Sequence, residues 1–273
     1  MSPPLRHPLL VHKPWGEDMI VTKTEDAFRL FMQHDHAKVS GEFARHWSSD
    51  LFPFENLRDE VEFAITQHDR AWIPLDQQPT WNDDAGEPHS FMNYPLKRKV
   101  QHYEQGIEEV RQESLYAGLL CGAHYLSFFD QSSSNPIIQQ FISREISNQE
   151  ESKHVLGTKY NEDAFDFHFR LLQFCDDLSL YFCLNEPGID KKDENKMFRN
   201  GFRQRFAGLD ERIVASWKHP DEIQLSPFPF ENHFDINIPY RLVYQKEIDD
   251  KGLEKAYQES GTEIRSVRMT AKN

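Results

Sequence analysis

Apolar residues recur along the middle of this chain at helical spacing, while stretches near its two ends alternate at period two. Residues 19–24 have strand composition. In residues 27–32, Phe28, Leu30 and Met32 fall on one side at period two, with Glu25-Asp26 as the intervening turn, so a hairpin is predicted. A helix from Glu25 is the competing reading, because Phe28 and Phe31 also fit helical spacing. Residues 36–47 read as a helix with Val39, Phe43, Ala44 and Trp47 on a stripe. A clearer helix spans 57–68, where Leu57, Val61, Ala64, Ile65 and His68 follow i, i+4, i+7, i+8, i+11. That spacing puts His68 on the inward face, at the C-terminal end.

A segment rich in proline, asparagine, aspartate and glycine occupies 74–95, and an irregular stretch of that length is uncommon unless it serves a function such as covering a site. Four helices are predicted after it, at 95–113, 115–130, 136–151 and 161–184, with breaks at Ser132-Ser133-Ser134-Asn135 and Gly157-Thr158. Composition shifts at Asn185-Glu186-Pro187-Gly188. Beyond it, 212–217, 222–225, 235–243 and 263–270 read as strands, with a short helix at 253–259. Residues 1–17, with their prolines, read as an extended arm. The resulting plan is α+β: a mainly helical core flanked by an antiparallel sheet that joins the N-terminal hairpin to the C-terminal strands. One domain over 1–273 is expected, with a core at 18–185 and a β extension, 186–273, packed on it. A lone strand pair is marginal in water, so the end strands need each other.

Length and charge narrow the function. At 273 residues the chain can bury a sizeable core. It carries 31 basic against 45 acidic residues, a net of −14, which argues against a nucleic-acid or anionic-membrane binder. A local pocket for a small anionic molecule remains compatible, and self-association is left open. Cys121, Cys175 and Cys183 lie in apolar helical contexts without regular spacing, which reads as reduced, buried thiols. The N-terminus has no apolar signal core, and a cytoplasmic protein is expected.

The chemistry is concentrated in three segments: Gln33-His34-Asp35-His36-Ala37, Gln67-His68-Asp69-Arg70 and Phe174-Cys175-Asp176-Asp177-Leu178. The last lies in a helix that is apolar on nearly every face, and such a helix is normally buried. A buried carboxylate costs several kcal/mol unless something positive compensates it. An arginine partner is one solution. The upstream His-Asp pairs suggest another, a divalent ion such as manganese, iron, zinc or magnesium.

The order His36, then His68-Asp69, then Asp176 resembles the HD superfamily of metal-dependent phosphohydrolases. The wider contexts QHDHAKVSGEFARHW, FAITQHDRAW, YAGLLCGAHYLSFF and LLQFCDDLSLYF resemble an uncharacterised bacterial HD-like family, domain of unknown function 3891, over about residues 18 to 245. The resemblance implies an HD-like helical bundle with His36, His68, Asp69 and Asp176 as metal ligands. Asp176 is preferred to Asp177 by the family's Asp-x-Leu pattern, and His34 competes with His36. Asp69, Arg70 and His124 are the implied catalytic residues. Asp69 would orient a water, and Arg70, ahead of Lys97 or Arg45, would neutralise a phosphoryl group. Trp72 and Trp81 are candidates for a wall. The paired histidines of binuclear members have no clear counterpart in His89, His102, His124 or His154. The leading expectation is a hydrolase of a small phosphoester or nucleotide. A di-iron oxygenase on the same scaffold and a non-catalytic, metal-stabilised binding or regulatory protein are the alternatives.

Overall fold

The structure, a computed structural model, describes residues 19–90 and 94–272, so the predicted N-terminal arm lies outside the described residues. Ile20–Lys23 (β1) and Ala27–Phe31 (β2) form the antiparallel hairpin, with Ile20 opposite Phe31. The turn closes because Thr24 bonds Ala27 through both its amide and its hydroxyl. Next come Gln33–His46 (α1), Arg58–Gln67 (α2) and the short Ile73–Asp76 (α3). The Pro-rich segment contains a small hairpin of Trp81–Asn82 (β3) and Glu87–Pro88 (β4), and Trp81 packs edge-on against Phe28.

Leu96–Glu113 (α4), Leu115–Leu126 (α5), Pro136–Leu156 (α6) and Glu162–Leu184 (α7) complete the helical layer. Three of them begin at a side-chain cap. Ser114, Asn135 and Asn161 accept bonds from the amides of Ala117, Ile137 and Ala164, which satisfies N–H groups that a helix start leaves open. α6 runs five residues past its predicted end, to Leu156, and stops at the cap residue Gly157, whose positive φ of 52° suits glycine. α5 stops short of Asp130, where the Ser127 hydroxyl bonds the His124 carbonyl.

The C-terminal part supplies Val214–His219 (β5), Glu222–Ser226 (β6), Phe234–Tyr244 (β7), Gln245–Lys251 (α8), Leu253–Glu259 (α9) and Thr262–Ala271 (β8). One six-stranded sheet results, in the order β1-β2-β7-β8-β6-β5. The class is α+β, but the sheet is mixed and not antiparallel throughout. α8 and α9 carry the chain back so that β8 inserts between β7 and β6, antiparallel to the first and parallel to the second. Period-two alternation then serves two faces. Ile20, Phe31, Ile236, Ile238 and Val267 join the main helical core, whereas Phe28, Leu30 and Val243 pack under Ile248, Leu253 and Tyr257 of α8 and α9.

Residues 185–213, where composition shifts, carry no helix or strand yet are fastened to the core. Phe198, Phe202 and Phe206 pack against Tyr181, Phe174 and Trp47. The fully buried Glu194 accepts bonds from the Tyr181 hydroxyl (2.7 Å) and Lys191 Nζ (2.6 Å). Among the described residues no helix is long and apolar enough to cross a membrane.

Candidate metal centre

Close helix approaches fix the positions of the histidines. Asp76 of α3 accepts a bond from the Gln33 amide (2.7 Å), holding the start of α1 and so the first-turn residue His36. At Gly41 a Cβ would lie 2.1 Å from Thr66 Oγ1, so only glycine lets α1 pack this closely on α2. His68 ends α2, and Asp69 opens the 3-10 turn Arg70–Trp72. That turn is pressed against α4 at Gly106, where a Cβ would stand 2.7 Å from the Ala71 backbone. His124 comes from the last turn of α5, and Asp176 from the middle of α7.

These side chains meet. His36 Nε2 is 3.0 Å from Asp176 Oδ1 and 3.6 Å from Asp69 Oδ2. His68 Nε2 is 3.4 Å from Asp69 Oδ2 and 3.7 Å from Asp176 Oδ1, and His124 Nε2 is 3.8 Å from Asp176 Oδ2. Donors bound to one first-row ion at about 2.0–2.2 Å stand no more than about 4.4 Å apart, and every one of these separations is within that limit. His36, His68 and Asp69 form one triad of potential ligands; His68, His124 and Asp176 form a second that shares His68. All five residues are buried, with Asp69 (5 % exposed) and Asp176 (8 %) the most open.

The proton positions suit a cation. His68 Nδ1 lies 2.7 Å from the Ile65 carbonyl, which can only accept, so Nδ1 carries a hydrogen and a neutral ring turns its Nε2 lone pair toward the carboxylates. His68 Nε2 has no hydrogen-bond partner among the described residues. Without an ion, a proton must balance the buried carboxylates. Burial pushes the His68 pKa down, but Asp69 and Asp176 outweigh it and raise it to about 9. Burial would raise Asp176, yet His36, His68 and His124 hold it well below the usual carboxylate range. Burial raises Asp69, and it lowers His124 to about 3.

These directions set a pH dependence. A bound cation has to replace the His68 proton, so affinity should rise by about tenfold per pH unit up to about pH 9. Calorimetric titration with zinc at pH 6 and pH 8 should show roughly a hundredfold difference; equal affinities would mean that His68 is already neutral. In the metal-free protein the sign is opposite. The stability that His68 contributes is present below its ordinary value of 6.5 and is lost as pH rises through about 9.

A family profile described as a protein of unknown function, DUF3891, matches residues 19–245. The chain belongs to this family. No curated protein and no solved structure matches it. The DUF3891 match spans every residue of the cluster as well as the hairpin and β7.

Other candidates fall elsewhere in this DUF3891 chain. Asp177, next to Asp176, turns away to Gln204 Nε2 (2.9 Å) and Arg203 Nε (3.4 Å). His34 is half-buried, its pKa lowered to about 4 by burial and then by Lys38, and it joins neither triad. The Arg70 guanidinium is held by Glu109 (3.0 Å) and Glu113 (2.7 Å) of α4. Lys97 is exposed on the first turn of α4, and Arg45 pairs with Glu42. Trp72 packs in a second core with Tyr103. His89, His102 and His154 join neither triad. Sequence reasoning missed Ser179, whose hydroxyl touches His36, and Arg203, whose charge reaches His124. A hydroxyl three residues after Asp176 in an oily helix was the available signal for the first.

Proposed function

We propose that this protein is a metal-dependent phosphohydrolase of HD type, in which His36, His68, Asp69 and Asp176 hold one divalent ion and act on a small anionic phosphoester or nucleotide. The observation that carries this reading is the meeting of two imidazoles and two carboxylates, from three separate parts of the helical layer, at separations one ion can bridge. When bound, such an ion polarises a phosphoryl oxygen and lowers the pKa of a coordinated water. Asp69 faces both imidazoles through one oxygen. Its other oxygen accepts a hydrogen bond from the attacking water and orients it. His124, kept neutral by burial with a pKa of about 3, is too weak a base for the water's proton, which passes to Asp69, whose own pKa burial raises. Arg70 is held by two carboxylates of α4 at 3.0 and 2.7 Å, whereas the half-exposed Arg203 has a single, longer pairing with Asp177 (3.4 Å), so Arg203 is the cation more readily turned to the phosphoryl charge.

Because the two triads share His68, one ion is favoured over two, which weighs against the di-iron oxygenase. The near-closure of the cluster favours a different second reading, an ion that only stabilises the fold. Protein loaded with manganese, iron, zinc or magnesium should release phosphate from some small phosphoester, and His68→Ala should abolish that release. A bound ion with no turnover on any phosphoester would support the structural ion, and two irons with one lost in His124→Ala would support the oxygenase.

A further inference from the structure

We infer that Ser179 is a positioning residue of this centre, fixing His36 with its ring proton on Nδ1 and its Nε2 lone pair toward the carboxylates. The inference rests on the proposed metal site and specifies how one of its ligands is prepared. Ser179 is fully buried on α7. Its Oγ lies 3.0 Å from the His36 carbonyl oxygen and 2.7 Å from His36 Nδ1. A hydroxyl has one hydrogen, and a carbonyl has none to give. If that hydrogen went to Nδ1, the carbonyl contact would set two oxygen lone pairs against each other. Both contacts are hydrogen bonds only when Ser179 donates to the carbonyl and Nδ1–H donates to Ser179.

Asp176 and Ser179 are three residues apart and share one face of α7. A single helix therefore grips His36 at both ring nitrogens, with a carboxylate 3.0 Å from Nε2 and a hydroxyl 2.7 Å from Nδ1. His68 is prepared in the same sense by the Ile65 carbonyl of its own helix. His124 is not: its Nδ1 has no hydrogen-bond partner among the described residues. The difference separates two rings built to hold an ion from one that is not oriented for it, since ligating histidines almost always donate their second ring N–H to a fixed acceptor.

The test compares full-length wild type with Ser179→Ala and Ser179→Thr. Zinc dissociation constants come from chelator competition, and ring protonation from nitrogen-15 NMR of histidine-labelled protein at pH 8, with and without zinc. The Ala variant should bind zinc about 10–100-fold more weakly, and in its metal-free form the His36 proton should move to Nε2, where Asp176 accepts it. The Thr variant, which keeps the hydroxyl, should stay within a few-fold of wild type. Unchanged affinity in the Ala variant, or His36 nitrogen shifts identical to wild type, would overturn the inference. If wild type binds no zinc, the metal reading fails. The metal-free nitrogen shifts then still decide whether Ser179 sets the proton on His36.

Discussion

Asp176→Ala should abolish stoichiometric metal binding, while its neighbour Asp177→Ala should leave the ion in place. Asp176 offers one oxygen 3.0 Å from His36 Nε2 and the other 3.8 Å from His124 Nε2, so its loss removes one of the two carboxylates, Asp69 and Asp176, that face the imidazoles among the described residues. Removing even an outer partner of a metal ligand costs 10–100-fold in affinity. Removing a ligand with half the negative charge of the site should therefore exceed about 100-fold. Asp177 faces Gln204 and Arg203, and losing that hydrogen bond should cost stability of about 1–2 kcal/mol with affinity changed only a few-fold. Metal content after dialysis and chelator competition on both variants provide the measurement. Equal loss from both would show that the adjacent carboxylates are not divided between cation and arginine.

Arg265→Ala should be the most destabilising change away from the cluster. Arg265 is on β8, yet its Nη1 donates to the carbonyls of Phe182 (2.7 Å), Asn185 (3.2 Å) and Cys183 (3.3 Å), and its guanidinium lies 5.0 Å from the Phe31 ring centroid. These carbonyls end α7, where a helix leaves acceptors unpaired and the dipole favours a cation. Truncation leaves buried acceptors without a donor, at a cost of roughly 3 kcal/mol. Each kcal/mol corresponds to about 2–4 °C of melting temperature in a chain approaching this size. Arg265→Lys should recover only part of the loss, because an ammonium can donate to the carbonyls but cannot reproduce the planar guanidinium's contact with the Phe31 ring. Thermal unfolding of both variants checks this, and a melting temperature within 2 °C of wild type for the Ala variant would remove Arg265 as the clamp between sheet and α7 (about one kcal/mol at most).

The helical layer was legible because its cues are local. Ser114, Asn135 and Asn161 stand at positions where a short polar side chain caps a helix, and the apolar stripes between them have one period. The cluster residues were legible for a different reason: imidazoles and carboxylates in oily surroundings demand compensation. What compensates each one is not local information. Asp176 and Asp177 are adjacent in sequence, and only the packing of residues 203–204 against α7 shows that the second goes to an arginine and a glutamine. Arg70 beside the His-Asp pair invited a phosphate role, but Glu109 and Glu113, four residues apart on α4, take it up. Arg265 sits at an inward position of β8, in line with Val267 and Met269, where alternation alone would call for an apolar side chain. The parallel pairing of β6 with β8 depends on where α8 and α9 return the chain, which no residue pattern within either strand encodes.

A single divalent ion held by His36, His68, Asp69 and Asp176 would be seen in anomalous X-ray diffraction from crystals of the zinc-loaded protein, collected on both sides of the zinc absorption edge. One strong anomalous peak per chain is expected, within about 2.0–2.2 Å of both Nε2 atoms and of an oxygen from each aspartate. No peak in that position at full zinc loading, or a peak held by other side chains, would contradict it.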